Sequence, residues 1–140
     1  MYTKKISITM IACAMFAVIV ACSAPATSSS TTSSQTLPLE ISVQDAAKLR
    51  DEGAFILDVR EPSEWNEFHI PDATLIPLGQ LKASGSQVPK NKPIVVVCRS
   101  GNRSATGRNI LKDLGFTNVT SMKGGMIDWR NAGLPTVSGP

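Results

Sequence analysis

The sequence contains few of the residues that build metal centres and disulfide-linked folds. Its 140 residues include one histidine and three cysteines. One histidine, His69, and a remote thiol do not make a zinc ligand set, so we expect no bound metal. The cysteines are Cys13, Cys22 and Cys98, and Cys13 lies inside an apolar segment. This spacing does not predict a disulfide framework.

Strongly charged patches and aromatic clusters are also absent from the sequence. The formal net charge is +3, and aromatic residues make up 5% of the chain. Lys4 and Lys5 contribute much of the basic excess, because residues 22–140 contain 12 basic and 11 acidic side chains and so carry +1. No basic patch is interleaved with aromatic residues, so we expect no nucleic-acid partner.

The most apolar stretch, residues 6–21, is short for a transmembrane helix, which needs roughly 20 residues. Two lysines precede it, which is typical of a secretory signal peptide. The stretch ends in Ile19-Val20-Ala21-Cys22, which resembles the lipobox of bacterial lipoproteins. This resemblance implies that residues 1–21 are a removed lipoprotein signal peptide and that Cys22 is lipidated. A plain secretory signal, which needs no cysteine at the cleavage site, is the alternative.

Residues 22–38 comprise Cys22 and a Ser/Thr-rich segment that has no apolar periodicity. Such a segment cannot bury a core, so it predicts a flexible tether. The folded domain is expected to cover residues 39–138. The expected location is the extracytoplasmic face of a cell-envelope membrane, periplasmic in a Gram-negative cell, with the lipid as the anchor. If Cys22 is acylated, Cys98 is the only free thiol and no intrachain disulfide can form.

The most informative stretch of the domain runs from residue 93 to residue 115. A β-branched run ends at Cys98, which predicts a buried strand that delivers this thiol to a sheet edge. Gly101 permits a tight turn, Ser104 is expected to be the N-cap of a helix over residues 105–114, and Gly115 closes that helix. The thiol therefore lies near a helix N-terminus.

A helix N-terminus favours an anion, because its backbone N–H groups are unpaired and the helix dipole is positive there. Arg99 and Arg103 add two positive charges close to Cys98 in the sequence. These features favour a reactive thiolate. The alternative is an inert buried cysteine, but packing alone requires neither arginine nor the Gly101 turn.

The remaining pattern alternates short helices and short apolar strands. This alternation predicts an α/β fold, a small parallel sheet with helices on both faces. In such a sheet, ligands bind outside the carboxyl ends of the strands, where Cys98 is placed. The predicted helices cover residues 43–50, 78–83, 105–114 and 126–131, with a further short helix that starts at Pro62, and the predicted strands cover 54–59, 74–76, 93–97 and 119–122.

Residues 98–104, Cys-Arg-Ser-Gly-Asn-Arg-Ser, resemble the active-site loop of single-domain rhodanese-like sulfurtransferases. The resemblance extends over residues 41–135. It includes Leu57-Asp58-Val59-Arg60, Glu64-Trp65, His69-Ile70-Pro71-Asp72-Ala73 and residues 124–129. It implies the rhodanese-like fold and a thiosulfate sulfurtransferase activity.

The resemblance also implies a mechanism in which Cys98 is the catalytic residue. Its thiolate takes the sulfane sulfur of a small anionic donor such as thiosulfate, and the persulfide passes this sulfur to cyanide or a thiol. No cofactor is implied. A thiol or protein acceptor and a reducing partner are expected, and the protein is expected to be a monomer. The substrate-binding residues are expected to be Arg99, Ser100, Gly101, Asn102, Arg103 and Ser104.

Two alternatives from other functional classes remain. A persulfide carrier or binding module that does not turn over would have the same loop. A phosphatase or arsenate reductase also uses a cysteine that opens an amide-lined loop ending in an arginine. Tyrosine phosphatases resemble a pattern with five residues between the two, whereas four separate Cys98 from Arg103. The shorter loop favours sulfur transfer.

Some polar residues outside the loop have simpler interpretations. Asp58 and Arg60 are expected to brace neighbouring loops, and His69 is expected to be structural. Trp65 and Trp129 are expected in the core. Gly124 and Gly125 are expected to form a turn and a helix start close to the active loop.

Overall fold

The structure is a computed structural model and describes residues 36–140. The predicted signal peptide, Cys22 and most of the predicted tether lie outside these residues. The described part contains strands β1 (Glu40–Ile41), β2 (Phe55–Asp58), β3 (Thr74–Leu75), β4 (Ile94–Val97) and β5 (Val119–Met122). Its helices are α1 (Val43–Asp51), α2 (Pro62–Glu67), α3 (Leu78–Ser84), α4 (Asn102–Asp113) and α5 (Gly125–Asn131), with a 3-10 turn at Gly85–Gln87.

The five strands form one parallel sheet in the order β1-β5-β4-β2-β3. β4 is central, and all four of its residues are buried. A continuous apolar strand of this kind requires cover on both faces of the sheet. The predicted α/β fold with a parallel sheet is therefore confirmed.

Separate apolar clusters cover the two faces of the sheet. On one face, Val96 of β4 packs in a cluster with Leu81 of α3 and Leu111 of α4. On the other face, Val95 packs in a cluster with Ala46 of α1 and with residues of α5 that include Trp129. Since neighbouring residues of a strand point to opposite faces, these two clusters place helices on both sides.

The register of the sheet places Cys98 at its carboxyl edge. Val97 pairs with Asp58 of β2, so the residues after these two strands emerge side by side. The amide of Lys123, just after β5, donates to the carbonyl of Ile41 at the end of β1. The ends of four strands therefore meet where the Cys98 loop begins.

The start of α4 differs from the sequence prediction. The N-cap is Gly101, whose φ of 103° lies in the left-handed region, and the helix begins at Asn102. Ser104 lies in the first turn, so its prediction as the N-cap is wrong. Glycine adopts this φ without steric cost, so the chain turns into the helix three residues earlier.

Most other helix ends agree with the sequence prediction. The Ser42 hydroxyl accepts the amide of Asp45 at the start of α1. Pro62 lies in the first turn of α2, and Gly115 has a φ of 85° just beyond α4. Across residues 36–140, none of the helices is both long and apolar enough to cross a bilayer.

Candidate active site

The Cys98 thiol is buried beneath the first turn of α4. The residue is 1% exposed. Its Sγ accepts the backbone N–H of Gly101 at 3.1 Å and that of Ser104 at 3.3 Å. Two amide donors on one sulfur stabilise a negative charge there, as the helix dipole also does.

Ser104 braces this loop from inside. Its hydroxyl donates to the carbonyl of Gly101 at 2.7 Å, and its oxygen lies 3.7 Å from Sγ of Cys98. The side chain therefore ties the turn to the first helical turn and also faces the sulfur. Ser104 was predicted as a substrate-binding residue. The structure places it at the thiol, where it is buried and its amide and hydroxyl both face the sulfur.

The N-terminus of α5 holds the loop from the other side. The amide of Met126 donates to the carbonyl of Cys98 at 2.8 Å, and the amide of Ile127 donates to that of Arg99 at 3.1 Å. The backbone approaches closely at Gly125, where a Cβ would lie only 2.6 Å from the carbonyl carbon of Arg99. A glycine is therefore required beneath the loop, which agrees with the expected place of Gly124 and Gly125.

Arg103 forms an ion pair with Glu64 of α2. Its two terminal nitrogens lie 2.7 Å from the two carboxylate oxygens of Glu64. Glu64 also accepts the amide of Glu61 in a capping box at the start of α2. The arginine that the sequence assigns to substrate binding is thus held by a carboxylate 39 residues away.

The ion pair shifts the pKa of both partners. The hydrogen bonds from Arg103 lower the pKa of the Glu64 carboxyl, although partial burial opposes this change. The same bonds raise the pKa of Arg103, and the nearby sulfur of Cys98 adds a smaller contribution in the same direction. Arg103 is therefore a fixed cation close to the thiol.

The remaining predicted loop residues have exposed side chains. Arg99, Ser100 and Asn102 are all exposed. Within residues 36–140, none of these three side chains forms a hydrogen bond with Cys98. The structure therefore leaves these three side chains open to solvent on the loop and does not bring them to the thiol.

Asp58 and Arg60 form a buried ion pair next to the loop. Their exposed fractions are 0% and 1%, and Nη2 of Arg60 lies 2.7 Å from Oδ2 of Asp58. The guanidinium also donates to the carbonyls of Glu64 and Phe68. These contacts fix α2 to the end of β2, so the predicted bracing role of both residues is confirmed.

His69 has structural partners. Its ring stacks on Trp65 with the centroids 3.6 Å apart, and its Nδ1 lies 3.0 Å from the Trp65 carbonyl. Its backbone exchanges two hydrogen bonds with Val137. The structural interpretation of His69 is confirmed, and the buried positions of Trp65 and Trp129 match the expected core.

A cleft of about 500 Å³ opens beside the loop between α2 and α5, and we call it the α2–α5 cleft. Arg99 connects it to the Cys98 loop, and Glu64 connects it to Arg103. Its walls combine charged and apolar side chains. The lining residues are Arg60, Glu64, Glu67, Phe68, Arg99, Ile127, Arg130 and Asn131.

The arrangement fits nucleophilic sulfur chemistry. Sγ faces backbone donors, and a fixed cation lies nearby, so both a thiolate and a persulfide anion would be stabilised by donors that are already oriented. Among residues 36–140, no group of three metal-ligating side chains comes together.

The sequence does not identify some residues of the site. These are Glu64 as the partner of Arg103 and the cleft residues Phe68, Ile127 and Arg130. For Glu64 the only local signal is the capping-box spacing from Glu61.

The fold and loop resemble those of known proteins. The family model described as "Rhodanese-like domain" matches residues 42–132. The crystal structure of a rhodanese-related protein from Thermoplasma volcanium superposes with a TM-score of 0.67 at 31% identity. This match covers 71% of the present chain and 98% of the other.

The chain is also similar to curated sequences. The thiosulfate sulfurtransferase GlpE of Pseudomonas syringae pv. syringae is 36% identical over 62% of this chain and 82% of its own length. Protein slr1261 of Synechocystis sp., which is named as uncharacterized, is 41% identical over 64% of this chain. The match spans about half, 51%, of that relative.

Proposed function

The chain belongs to the rhodanese-like domain family, and from this membership we propose that it is a thiosulfate sulfurtransferase that works through a persulfide on Cys98. The donor is a small anion such as thiosulfate. The acceptor is thiophilic, either cyanide in an assay or a thiol. The name of the GlpE relative supports the choice of donor.

The observation that carries the proposal is the pair of amides on the sulfur. The N–H groups of Gly101 and Ser104 point at Sγ of Cys98, which suits an anion at that atom. The thiolate attacks the outer sulfur of thiosulfate, the S–S bond of the donor breaks, and sulfite leaves with the electron pair. The product is a Cys98 persulfide, stabilised by the same amides.

The parts of the loop carry different tasks in this proposal. Cys98 is the nucleophile and the sulfur carrier. The backbone of residues 99–104 binds the anionic sulfur, and Arg103 supplies a positive charge for the donor and the departing sulfite. Asn102, Ser100 and Arg99 surround the entrance.

The test is a sulfur-loading experiment. Thiosulfate should add one sulfur atom to the wild-type protein, seen by mass spectrometry on the peptide that contains Cys98, and cyanide should remove it as thiocyanate. Cys98→Ala should abolish both steps. Activity retained by Cys98→Ala would contradict the proposal, and a stable adduct without turnover would indicate a carrier.

We also propose that Cys22 is lipidated after removal of residues 1–21 and anchors the domain on the extracytoplasmic face of a cell-envelope membrane. The support is the pair of lysines, the apolar stretch and the small residue Ala21 before Cys22. In that compartment a reactive thiol is open to oxidation, so Cys98 would need a reducing or sulfur-accepting partner. Labelling with a radioactive fatty acid should mark the wild type and not Cys22→Ala, and an unlabelled wild type would contradict the anchor.

A further inference from the structure

Some charged side chains of the α2–α5 cleft are in ion pairs and others are not. Arg60 is held by Asp58, and Glu64 is held by Arg103. Within the described residues, Arg99 and Arg130 form no salt bridge and no side-chain hydrogen bond, and both are exposed. The cleft therefore offers two available guanidinium groups, opposed by the carboxylate of Glu67.

One of these guanidinium groups is oriented by an aromatic ring. The guanidinium carbon of Arg130 lies 4.4 Å from the ring centroid of Phe68. A cation stacked on a ring keeps its in-plane N–H groups available, and these groups match the two oxygens of a carboxylate. Arg130 thus presents an oriented anion-binding group to the cleft.

The cleft also has an apolar part. Phe68 and Ile127 of α5 both line it; the Phe68 ring also lies 5.3 Å from the guanidinium carbon of Arg60, and Ile127 is 45% exposed. An exposed apolar side chain beside free guanidinium groups suits a ligand that has both a carbon skeleton and a negative charge. The cleft volume of about 500 Å³ is ample for such a molecule.

The position of the cleft points to the second substrate. The donor anion is bound by the loop amides, and cyanide is too small to use such a cleft. The cleft adjoins the loop, because Arg99 follows Cys98 directly and the Ile127 amide donates to the Arg99 carbonyl. An acceptor bound there lies next to the mouth of the loop.

We propose that the α2–α5 cleft binds a small thiol acceptor that carries a carboxylate. Arg130, with Arg99, binds the carboxylate, and the aliphatic part of the acceptor packs against Phe68 and Ile127. This inference rests on the proposed sulfurtransferase function and assigns the acceptor class to it.

The transfer step balances without another reactant. The acceptor thiolate attacks the outer sulfur of the Cys98 persulfide and forms a new S–S bond. The bond between Sγ and the outer sulfur breaks, and the electron pair returns to Sγ as the thiolate. The acceptor leaves as its persulfide, and no external oxidant or reductant is consumed.

The kinetic test compares two acceptors of similar size, 3-mercaptopropionate and 2-mercaptoethanol, at equal thiolate concentration. The measured quantity is kcat/KM for 3-mercaptopropionate divided by kcat/KM for 2-mercaptoethanol, and in the wild type this ratio should exceed one. In Arg130→Gln this ratio should fall about tenfold, the effect of one charge-assisted hydrogen-bond pair. Lys112→Gln, which removes an exposed cation of α4 outside the cleft, should keep the wild-type ratio. An equal ratio in wild type and Arg130→Gln would overturn the inference.

Sulfite release from thiosulfate and thiocyanate formation from cyanide test the proposed function separately. If both occur but the wild type shows no carboxylate preference, only the acceptor assignment fails. A binding measurement needs no sulfur chemistry at all. The unreactive thioether 3-(methylthio)propionate should shift the amide resonances of Ile127 and Arg130 saturably in the wild type and much more weakly in Arg130→Gln. Absence of saturable shifts at these residues would also overturn the inference.

Discussion

The guanidinium of Arg103 and the carboxylate of Glu64 are joined by two parallel hydrogen bonds of 2.7 Å each. The exposed fractions of the two side chains are 34% and 23%, so the pair is only partly shielded from water. Arg103 lies in the first turn of α4, one residue before Ser104, whose amide binds Sγ of Cys98, and Glu64 lies in α2. The pair connects the helix that carries the loop to the helix that lines the cleft.

This arrangement predicts that Arg103→Ala harms the site in two ways. It removes a positive charge and leaves the Glu64 carboxylate unpaired where an anionic donor must bind. We expect kcat/KM for thiosulfate to fall about tenfold or more, mainly through KM, since a charge-assisted contact is lost. Steady-state kinetics with varied thiosulfate and saturating cyanide measure this change.

A double variant separates the two effects. In Glu64→Gln/Arg103→Ala the unpaired carboxylate is gone, so part of the lost kcat/KM should return, about threefold relative to Arg103→Ala. Such coupling is expected for residues in direct contact. A double variant no better than Arg103→Ala would show that the repulsion from Glu64 is negligible.

The same pair makes a pH-dependent contribution to stability. The pKa of Glu64 is lowered in the folded protein, so the unfolded chain binds the proton more readily. The stabilisation is therefore fully present above the unfolded pKa of about 4.3 and is lost as the pH falls through the folded pKa. For a partly exposed pair it amounts to at most about 1 kcal/mol.

Glu64→Gln measures this contribution, because glutamine can still accept the Glu61 amide. The difference in free energy of unfolding between wild type and Glu64→Gln should be largest near about pH 7 and should shrink towards about pH 3. Urea unfolding at several pH values gives this difference. The control is Glu52→Gln, in the exposed pair Lys48–Glu52. It should change the free energy of unfolding by only a few tenths of a kcal/mol. A Glu64→Gln difference that grows at low pH would contradict the assignment.

The close approach at Gly125 gives a third prediction. Gly125 and Gly133 both have positive φ values, 58° and 69°. A Cβ at Gly125 would clash with the backbone of Cys98 and Arg99, whereas among the described residues nothing lies within 4 Å of a Cβ at Gly133. Gly133→Ala should therefore cost about 1 kcal/mol for the left-handed backbone alone.

Gly125→Ala should cost about 1–3 kcal/mol more than Gly133→Ala, because it overpacks the site. It should also slow sulfur loading of Cys98, since the amides of Met126 and Ile127 no longer fit the loop carbonyls. Urea unfolding and the rate of sulfite release check the two effects. Equal stability and equal loading in both variants would show that the loop does not depend on this contact.

The sequence predicts the parts of the site that depend on local patterns. The β-branched run before Cys98 predicts β4, and Ser42 and Pro62 predict the starts of α1 and α2. Gly101 is predicted as the turn residue. These features follow from backbone preferences within a few residues, so one sequence is enough to find them.

Features that depend on tertiary contacts are not predicted. The start of α4 at Asn102 depends on the left-handed conformation of Gly101, which the sequence permits but does not require. β1 has two residues and exists only because it pairs with β5, so it has no periodicity to detect. The Glu64–Arg103 pair joins residues 39 positions apart, and the capping-box spacing explains Glu64 without reference to Arg103.

The buried pair Asp58–Arg60 gives the last prediction. Asp58→Asn removes the charge that compensates a guanidinium with 1% exposure. Breaking a buried ion pair leaves an uncompensated charge and costs about 3–5 kcal/mol. Arg60 also holds the carbonyls of Glu64 and Phe68, so α2 should loosen and the α2–α5 cleft with it.

The matched control is Asp51→Asn. Asp51 also pairs with an arginine, Arg50, at 2.6 Å, but its side chain is 66% exposed. Water can replace the Asp51 carboxylate beside Arg50, so Asp51→Asn should lower the free energy of unfolding by less than about 1 kcal/mol. Urea unfolding at neutral pH gives both values. A similar small loss in the two variants would mean that the Asp58–Arg60 pair contributes no more than a surface contact, and the anchoring of α2 would then have to come from the packing of Trp65, the buried residue of α2.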